Sequence, residues 1–329
     1  MKPARRRMLL ILLFIVGLWL NNTSLFIEHS PENRPFKLIA HRGVHQIYSG
    51  NTRTTKTCRA ESVEPMQHPF IENTLASMHA AMEYGADVVE LDVHLTTDSV
   101  LAVFHDWRLD CQTNGYGVTQ KQSFAYLQRL DLGFGFTTDG ITFPLRGSGV
   151  GLMPSINDVI EANLPGRLLI NFKSGHASSG QQLVDEVVKF RYPYEDRLFG
   201  VYGSRGGAVK AVTDGLLGIK GFDRASLKDC ARVYLLVGWT GYVPSACRNT
   251  IIAAPIDIAP FAWGWPYKFV QRMQAVNSEV ILWGPYDGSG FSSGIDDKET
   301  LALVPEYFEG YVWTNKIEVI GPLVKKSGG

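Results

Sequence analysis

Residues that could perform metal and acid–base chemistry stand where apolar runs of the sequence end. Glu90 and Asp92 lie two residues apart in one strand-like run, so their carboxylates point to the same side. Two carboxylates at this spacing provide hard oxygen ligands for Mg²⁺ or Ca²⁺. A salt-bridged strand end is the commoner explanation of such a pair, so a metal site needs support from other residues.

Two histidines and two cations occupy similar positions. His41 and His105 each follow an apolar run, and because imidazole titrates near neutral pH the two rings could serve as general acid and base. Arg42 and Lys173 could hold a phosphate, the arginine as a fork and the lysine as a point charge. Each residue by itself has an ordinary structural explanation. Gathered with the carboxylate pair, they would form a phosphodiester-cleaving site.

Runs with strand character alternate with runs of helical spacing along the chain. The strand candidates are residues 36–40, 87–95, 100–104, 168–172, 198–202, 232–237, 251–254, 279–283 and 311–314. The helical candidates include residues 73–85, 123–132, 181–190, 267–276 and 299–308. This alternation predicts parallel βαβ units.

The number of strand candidates suits a single-domain α/β fold, the (β/α)8 TIM barrel. Residues 251–254 are the run to drop if only eight strands fit. A doubly wound open sheet is the rival architecture, but its ligands bind at one switch point. The polar groups follow several different strands, and only a barrel brings all of those strand ends to one mouth. We therefore predict the barrel.

The composition excludes several classes of protein. Of the 329 residues, 45% are hydrophobic and 19% are charged, which provides ample material for a core and excludes global disorder. Lysine plus arginine and aspartate plus glutamate both number 32, so the basic excess of a nucleic-acid-binding protein is missing. We expect no nucleic-acid partner, and an anionic substrate must be held by a local cluster of charge.

The first 27 residues have the pattern of a targeting segment. A basic start over residues 1–7 precedes an apolar run over residues 8–20, and these are the two parts of an export signal. No small-residue cleavage site follows, and the run is shorter than the roughly 20 residues that a membrane-spanning helix needs. Because the basic side stays cytoplasmic, we predict an exported protein on the periplasmic or extracellular face. It would be either anchored by residues 8–27 or released after signal cleavage.

Several short motifs follow one another in a characteristic order. They are His41-Arg42-Gly43, Glu72-Asn73-Thr74, Glu90-Leu91-Asp92, Thr96-x-Asp98 and His105-Asp106. Together they resemble the glycerophosphodiester phosphodiesterase family, in an exported or membrane-anchored bacterial-type form. The resemblance is sharp over residues 38–120, weakens beyond them and returns at Trp313-Thr314-Asn315. It implies a TIM barrel over residues 36–325, in agreement with the strand pattern.

The resemblance also implies a reaction, the metal-dependent hydrolysis of glycerophosphodiesters to glycerol 3-phosphate and an alcohol. The implied site consists of an acid–base pair, a phosphate-binding pair and the ligands of one divalent cation, Ca²⁺ or Mg²⁺. His41 and His105 would be the acid–base pair, and Arg42 and Lys173 would bind the phosphate. Glu90, Asp92 and Glu72 would bind the cation.

One ligand position departs from the family pattern. The family usually has a third carboxylate two residues before its strand-four lysine, where this chain has Asn171. An amide oxygen can still bind Ca²⁺ or Mg²⁺. We therefore expect Asn171 in the metal shell, with weaker metal binding or with compensation by Glu72.

A long inserted loop over residues 44–71 is the second departure. It is Thr-rich and basic around residues 51–59, and a loop of this length is usually either functional or disordered. On a barrel it would lie over the mouth as a lid or a substrate-selecting loop, with a floppy surface insertion as the alternative. We expect its histidines, His45 and His68, to be solvated.

Four cysteines permit three disulfide pairings, and the sequence alone does not choose between them. An exported protein meets an oxidising compartment, which favours disulfides over four free or buried thiols. In the barrel that the resemblance implies, the inserted loop could reach the loop after His105. This favours Cys58–Cys111 and leaves Cys230–Cys247 as the second pair.

Two other functions stay open. A lysophospholipase D-like or phospholipid-cleaving enzyme on the same barrel would suit an N-terminal anchor and an aromatic mouth, to which residues 261–267, Trp283 and Trp313 could contribute. Barrel packing explains those aromatic residues equally well. A barrel whose metal site is impaired at Asn171 could instead bind phosphodiesters without cleaving them, although the retained histidines argue against this. The expected partners are thus a glycerophosphodiester or lysolipid substrate, and the membrane through the N-terminal segment.

Overall fold

The computed structural model of the chain describes residues 3–27, 36–48, 58–288 and 293–327. Its strands are β1 (Lys37–Ala40), β2 (Val88–Leu95), β3 (Leu101–Val103), β4 (Arg167–Phe172), β5 (Leu198–Gly203), β6 (Gly221–Asp223), β7 (Ile251–Pro255), β8 (Glu279–Trp283) and β9 (Tyr311–Thr314). Its α-helices are α1 (Pro3–Asn22), α2 (Leu75–Tyr84), α3 (Phe124–Leu127), α4 (Ile156–Glu161), α5 (Ala177–Lys189), α6 (Tyr194–Arg197), α7 (Gly206–Gly215), α8 (Arg224–Val237), α9 (Tyr267–Gln274), α10 (Lys298–Leu301) and α11 (Ile317–Ser327).

The strands form one barrel-like sheet. Eight of them run parallel in the order β6-β5-β4-β2-β1-β9-β8-β7, and the two end strands of that order, β6 and β7, contact each other. The remaining strand, β3, pairs antiparallel with β2 and is not part of the barrel wall. With helices between the parallel strands, the predicted TIM-barrel fold is confirmed. The carboxyl ends of β1, β2, β4, β5 and β9 therefore open to one mouth.

The region between β5 and β8 differs from the prediction. Residues 232–237, predicted as a strand, are the end of α8. Asp223 begins that helix with a reciprocal cap, and the buried residues Cys230 and Tyr234 lie four apart on its inner face. The strand of this region is β6, which is too short to show a period in the sequence. Residues 251–254, the run considered for omission, form most of β7.

Two helical candidates are much shorter than predicted. Residues 123–132 contain only α3, and residues 299–308 contain only the end of α10. In the second case Pro305 removes a backbone donor and prevents continuation of the helix. The chain passes through turns at both places.

A second hydrophobic core joins the inserted loop to the loop that follows β3. Its buried members are Tyr48, Ala60, Val63, Ile71, Ala102, Phe104, Leu109, Leu127, Leu130, Leu132, Phe136, Leu145 and Met153. A disulfide between Cys58 and Cys111, with Cα atoms 5.5 Å apart, joins the same two loops. A second disulfide, Cys230–Cys247, ties α8 to the turn before β7. Residues 49–57 of the inserted loop lie outside the described residues.

The N-terminal helix α1 lies against the outside of the barrel. Its apolar side chains are exposed, and its last turn is held by Arg272, which donates to the carbonyl of Asn21 at 2.7 Å and to Asn22 Oδ1 at 3.2 Å. Among the described helices, none combines the length and the apolar character needed to cross a membrane.

Candidate active site

The motif His41-Arg42-Gly43 forms a tight turn directly after β1. Arg42 and Gly43 both have left-handed backbones, with φ of 60° and 78°. A Cβ at Gly43 would lie 2.6–2.9 Å from atoms of Ser77, so only glycine allows this turn to pack against α2. The backbone N–H of Arg42 donates to Glu90 Oε2 at 3.1 Å. The turn thereby places the Arg42 side chain inside the mouth.

The motif Glu72-Asn73-Thr74 performs three tasks at the start of α2. Thr74 caps the helix by accepting a backbone N–H of its first turn. Asn73 holds Asp92, because its Nδ2 donates to Asp92 Oδ2 and its Oδ1 accepts from the Asp92 backbone N–H, both at 3.1 Å. Glu72 reaches the mouth, where it meets Arg42.

Arg42 lies between carboxylates from two different elements. Its Nη1 donates to Glu72 Oε1 at 2.9 Å, and its Nε lies 3.1 Å from Asp92 Oδ2. The other oxygen of Glu72 accepts the hydroxyl of Tyr48, from the inserted loop. All of these side chains are buried. Glu72 is therefore engaged on both oxygens and holds Arg42 in position.

Strands β4 and β5 complete the surroundings of the carboxylate pair. Asn171 is level with Asp92 in the β2–β4 ladder, and its Nδ2 donates to Asp92 Oδ1 at 2.8 Å. Lys173 Nζ lies 3.5 Å from the same oxygen. The hydroxyl of Tyr202, on β5, donates to Glu90 Oε1 at 2.7 Å. The carboxylates and cations singled out in the sequence thus lie in one cluster.

The two β2 carboxylates titrate differently. Burial, followed by the charge of Asp92, raises the pKa of Glu90 to about 8. Burial also acts to raise the pKa of Asp92, but Lys173 and Arg42 outweigh it and hold that pKa below its usual range. Glu90 therefore holds a proton more readily than Asp92 does.

His105 lies in the loop after β3 and not at the end of a barrel strand. The loop is held from β2 by His94, whose Nε2 donates to the His105 carbonyl at 3.2 Å while its Nδ1 accepts from Gln120 at 3.1 Å. Burial lowers the pKa of His94 to about 3, so the ring is neutral, as this bonding requires. His94 thus positions the loop that carries His105.

The His105 ring is paired with Asp106, with Nδ1 and Oδ1 2.6 Å apart. Burial raises the pKa of Asp106 to about 6. Burial and the charge of Arg42 hold the pKa of His105 well below its usual value. Above pH 6 the pair is therefore a neutral imidazole that donates its Nδ1 proton to a carboxylate, which leaves Nε2 as a proton acceptor.

His41 has a similar arrangement with a neutral partner. Its Nδ1 lies 2.7 Å from Asn315 Oδ1, and since an amide oxygen can only accept, Nδ1 carries the proton. Asp296 fixes the amide by accepting from Asn315 Nδ2 at 2.8 Å. The Nε2 of His41 is the free acceptor, 3.9 Å from Glu90 Oε2. Burial, followed by Arg42, holds the pKa of His41 well below its usual value.

Sequence reasoning missed several residues of this site. Tyr202 bears the hydroxyl that meets Glu90, and its place near the end of a predicted strand was the available signal. His45 was expected to be solvated, which is wrong: it is 4% exposed, and its ring centroid lies 5.1 Å from that of His41. Its burial follows from the bridge between Tyr48 and Val63, which folds the inserted loop back on itself.

The donor set at this mouth fits a hard divalent cation. Glu90 and Asp92 present carboxylates on one side of β2, and Asn171 adds an amide at the level of Asp92. Two carboxylates and an amide oxygen suit Mg²⁺ or Ca²⁺. Burial, followed by the charge of Asp92, raises the pKa of Glu90, and a cation bound beside the two carboxylates would lower that pKa again. Among the described residues, however, no three His, Cys, Asp or Glu side chains form a metal-binding group, and the third donor beside the two carboxylates is the amide of Asn171.

A sequence model of the glycerophosphoryl diester phosphodiesterase family matches residues 41–235, more than half of the chain. The chain belongs to this family. The matched stretch contains both histidines and the carboxylates and cations of the site, and it ends before Asn315. The family resemblance of the motifs is thereby confirmed.

Relatives in this family align over short stretches. A glycerophosphodiester phosphodiesterase of Caldanaerobacter subterraneus is 46% identical over 65 residues, which are 20% of this chain and 27% of that protein. One of Bacillus altitudinis is 34% identical over 111 residues, 33% of this chain and 36% of that protein. The chain thus spans about a quarter to a third of these curated relatives.

Several solved structures share the fold over nearly their whole length. The glycerophosphoryl diester phosphodiesterase domain of a Mycobacterium tuberculosis protein has a TM-score of 0.61 at 15% identity, over 88% of this chain and 98% of that chain. An Oleispira antarctica phosphodiesterase, solved with its product sn-glycerol-3-phosphate, has a TM-score of 0.52 at 18% identity, over 87% of this chain and 96% of that chain. At these identities the likeness establishes the shared barrel.

Proposed function

We propose that the protein hydrolyses glycerophosphodiesters to glycerol 3-phosphate and an alcohol, with one divalent cation bound at the mouth. The main support is the pair of imidazoles, His41 and His105, each with Nδ1 hydrogen-bonded and Nε2 free to exchange a proton. The charge of His41 is among the causes that lower the pKa of His105, which is consistent with rings that face one shared space. Buried cations and carboxylates surround that space.

The proposed reaction needs two proton transfers, one from the attacking hydroxyl and one to the leaving alkoxide. One imidazole takes the proton of the attacking hydroxyl as the new P–O bond forms, and the other gives a proton to the leaving alkoxide as the old P–O bond breaks. Asp106 would stabilise the imidazolium form of His105, and Asn315 would keep His41 in the required orientation. Because a bound phosphate anion raises the pKa of nearby imidazoles, the ring that acts as the acid would take up a proton from solvent when the substrate binds.

Arg42 and Lys173 would bind the phosphate. The cation would be held by Glu90, Asp92 and the amide of Asn171, with Glu72 positioning Arg42. When bound, the cation would neutralise charge on the non-bridging phosphate oxygens. Asp92, now paired with both basic residues, would then be shared with the cation.

The test is release of glycerol 3-phosphate from glycerophosphocholine by the full-length protein, in EDTA and with added Ca²⁺ or Mg²⁺. We expect metal-dependent release that is lost in His41→Ala and His105→Ala while both variants keep the wild-type melting temperature. No release by the folded wild-type protein with either metal would contradict the proposal. Binding of glycerophosphocholine without turnover would then favour a phosphodiester-binding protein.

A second candidate is cleavage of lysolipids at a membrane by the same site. It is favoured by the exposed apolar surface of α1 and by exposed Leu236, Trp239 and Phe261, of which Trp239 contacts α1. Such a surface is suited to a lipid interface. Lysophosphatidylcholine assayed beside glycerophosphocholine separates the two, because a lysolipid enzyme would release choline faster from the former.

The N-terminal segment would place the enzyme outside the cytoplasm, either attached to the membrane through residues 8–27 or released after signal cleavage. Two disulfides support this, because such bonds persist in oxidising compartments. A fusion of the chain to a reporter that is active only after export tests the proposal. Equal reporter activity with and without residues 1–27 would contradict it.

A further inference from the structure

The inserted loop brings an additional arginine, Arg59, to the active site. Its backbone is fixed on both sides: the preceding Cys58 is bonded to Cys111, and the following Ala60 is buried and accepts a hydrogen bond from the N–H of Thr137 at 3.0 Å. The segment therefore forms part of the second core beside the His105 loop. The backbone of Arg59 is therefore held beside the loop that carries His105.

The side chain of Arg59 points toward the site. Its guanidinium lies over the ring of Tyr48, 5.8 Å from the centroid, and the hydroxyl of Tyr48 donates to Glu72. The charge of Arg59 also contributes to the lowered pKa values of both His41 and His105. Arg59 thus lies within electrostatic range of both proposed proton-transfer groups.

Arg59 differs from the other two cations of the mouth in its partners. Arg42 is paired with Glu72 and Asp92, and Lys173 is paired with Asp92. Within the described parts of the chain, the guanidinium of Arg59 makes a ring contact but no hydrogen bond or ion pair. Burial, followed by the charge of Arg42, lowers its pKa, and the charges of Asp106 and Glu72 offset this only in part. A partly buried cation without a carboxylate partner is unfavourable unless an anion joins it.

We propose that Arg59 binds the phosphate of the substrate and of the glycerol 3-phosphate product, and that the Cys58–Cys111 disulfide holds it in place to do so. The proposal rests on the proposed function and identifies a substrate-binding residue outside the family motifs. An arginine can donate two parallel hydrogen bonds to phosphate oxygens, which a lysine cannot match. The inserted loop would thereby act in anion recognition.

The experiment measures sn-glycerol 3-phosphate binding to the full-length protein by calorimetry, together with kcat and KM for glycerophosphocholine. The variants are Arg59→Gln, Arg59→Met and Arg59→Lys. Arg59→Met keeps an apolar stem over Tyr48. Arg108→Gln is the matched control, because Arg108 is exposed and paired with Asp110 in the loop that carries Cys111. A charged hydrogen bond to phosphate corresponds to a loss of about 10- to 100-fold in affinity.

We expect Arg59→Gln and Arg59→Met to weaken product binding and raise KM by about 10- to 100-fold, with a smaller change in kcat. Arg59→Lys should weaken binding less, because it keeps the charge. The double variant Cys58→Ser/Cys111→Ser should weaken binding in the same direction. Product affinity in both neutral variants equal to that of Arg108→Gln would overturn the proposal. Failure of the wild-type protein to bind or to hydrolyse would instead count against the proposed function, so the two failures are distinguishable.

Discussion

Replacing Asn171 by aspartate should make the stability of the protein depend more strongly on a divalent cation. In the wild-type protein Asn171 Nδ2 donates to Asp92 Oδ1 at 2.8 Å. Aspartate has the same shape but puts a carboxylate oxygen where the donor was. Two unit charges about 4 Å apart repel by about 4 kcal/mol at an effective dielectric constant of 20.

The folded variant can relieve this repulsion only by retaining one proton between the two carboxylates. Retaining a proton at pH 7 on a group with an ordinary pKa of about 4 costs about 4 kcal/mol, because each pKa unit corresponds to about 1.4 kcal/mol. In EDTA we therefore expect the free energy of unfolding to fall by about 4 kcal/mol, which lowers the melting temperature by about 8 °C. A raised carboxyl pKa favours the folded state only at low pH, so the deficit should shrink by about 1.4 kcal/mol per pH unit between pH 7 and pH 4.

The assay is thermal unfolding in EDTA and in saturating Ca²⁺ or Mg²⁺. A cation held by Glu90, Asp92 and the new carboxylate should remove the deficit of Asn171→Asp. Asn171→Leu is the matched control, since it loses the hydrogen bond without adding charge. Its deficit of about 1.5–3 kcal/mol in EDTA should not be removed by the cation, because leucine supplies no ligand. Identical behaviour of the two variants in all conditions would refute the placement of the cation at this cluster.

Three further outcomes follow from the structure. Arg42→Met should lower the free energy of unfolding by about 3–5 kcal/mol, measured by denaturant titration, because it leaves buried Glu72 without a cation and Asp92 with Lys173 alone. A loss below 1 kcal/mol would contradict the pairing. Cys58→Ser/Cys111→Ser should lower the free energy of unfolding by about 4 kcal/mol in the same titration, because the disulfide closes a loop with a sequence separation of 53. Equal stability of oxidised and reduced wild-type protein would argue against the bond. The kcat/KM should rise with pH up to about 6, because Asp106 ionises there and can then stabilise the imidazolium of His105. Asp106→Asn should remove that rise. A pH profile of the variant equal to that of the wild-type protein would exclude Asp106 from proton transfer.

The barrel could be predicted because its signals are local. Apolar runs such as residues 168–172 and 311–314 alternate with helical spacing, and both became strands of the parallel sheet. The prediction was wrong where a local pattern was ambiguous or too short. Residues 232–237 are apolar enough for a strand but continue a capped helix, and the true strand Gly221–Asp223 has three residues and no visible period.

Part of the site could be predicted for a related reason. Residues such as His41 and Asp92 stand at or near strand ends, and a parallel barrel brings such ends together without further information. The partners of these residues could not be predicted in this way. Asn315 follows the last strand, nearly the whole chain away from His41, and Tyr202 belongs to a strand whose register decides which carboxylate it meets.

The sequence by itself determined the fold class, the family and the residue types available for phosphodiester chemistry. Only the tertiary structure decided how those residues are paired: that Glu72 faces Arg42, that Asn171 donates to Asp92, and that His45 is buried. The physical reason is that composition and periodicity act over neighbouring residues. Pairing of charges depends on distances of a few ångströms between strands and loops, which exist only after the barrel has closed and the inserted loop has packed beside its mouth.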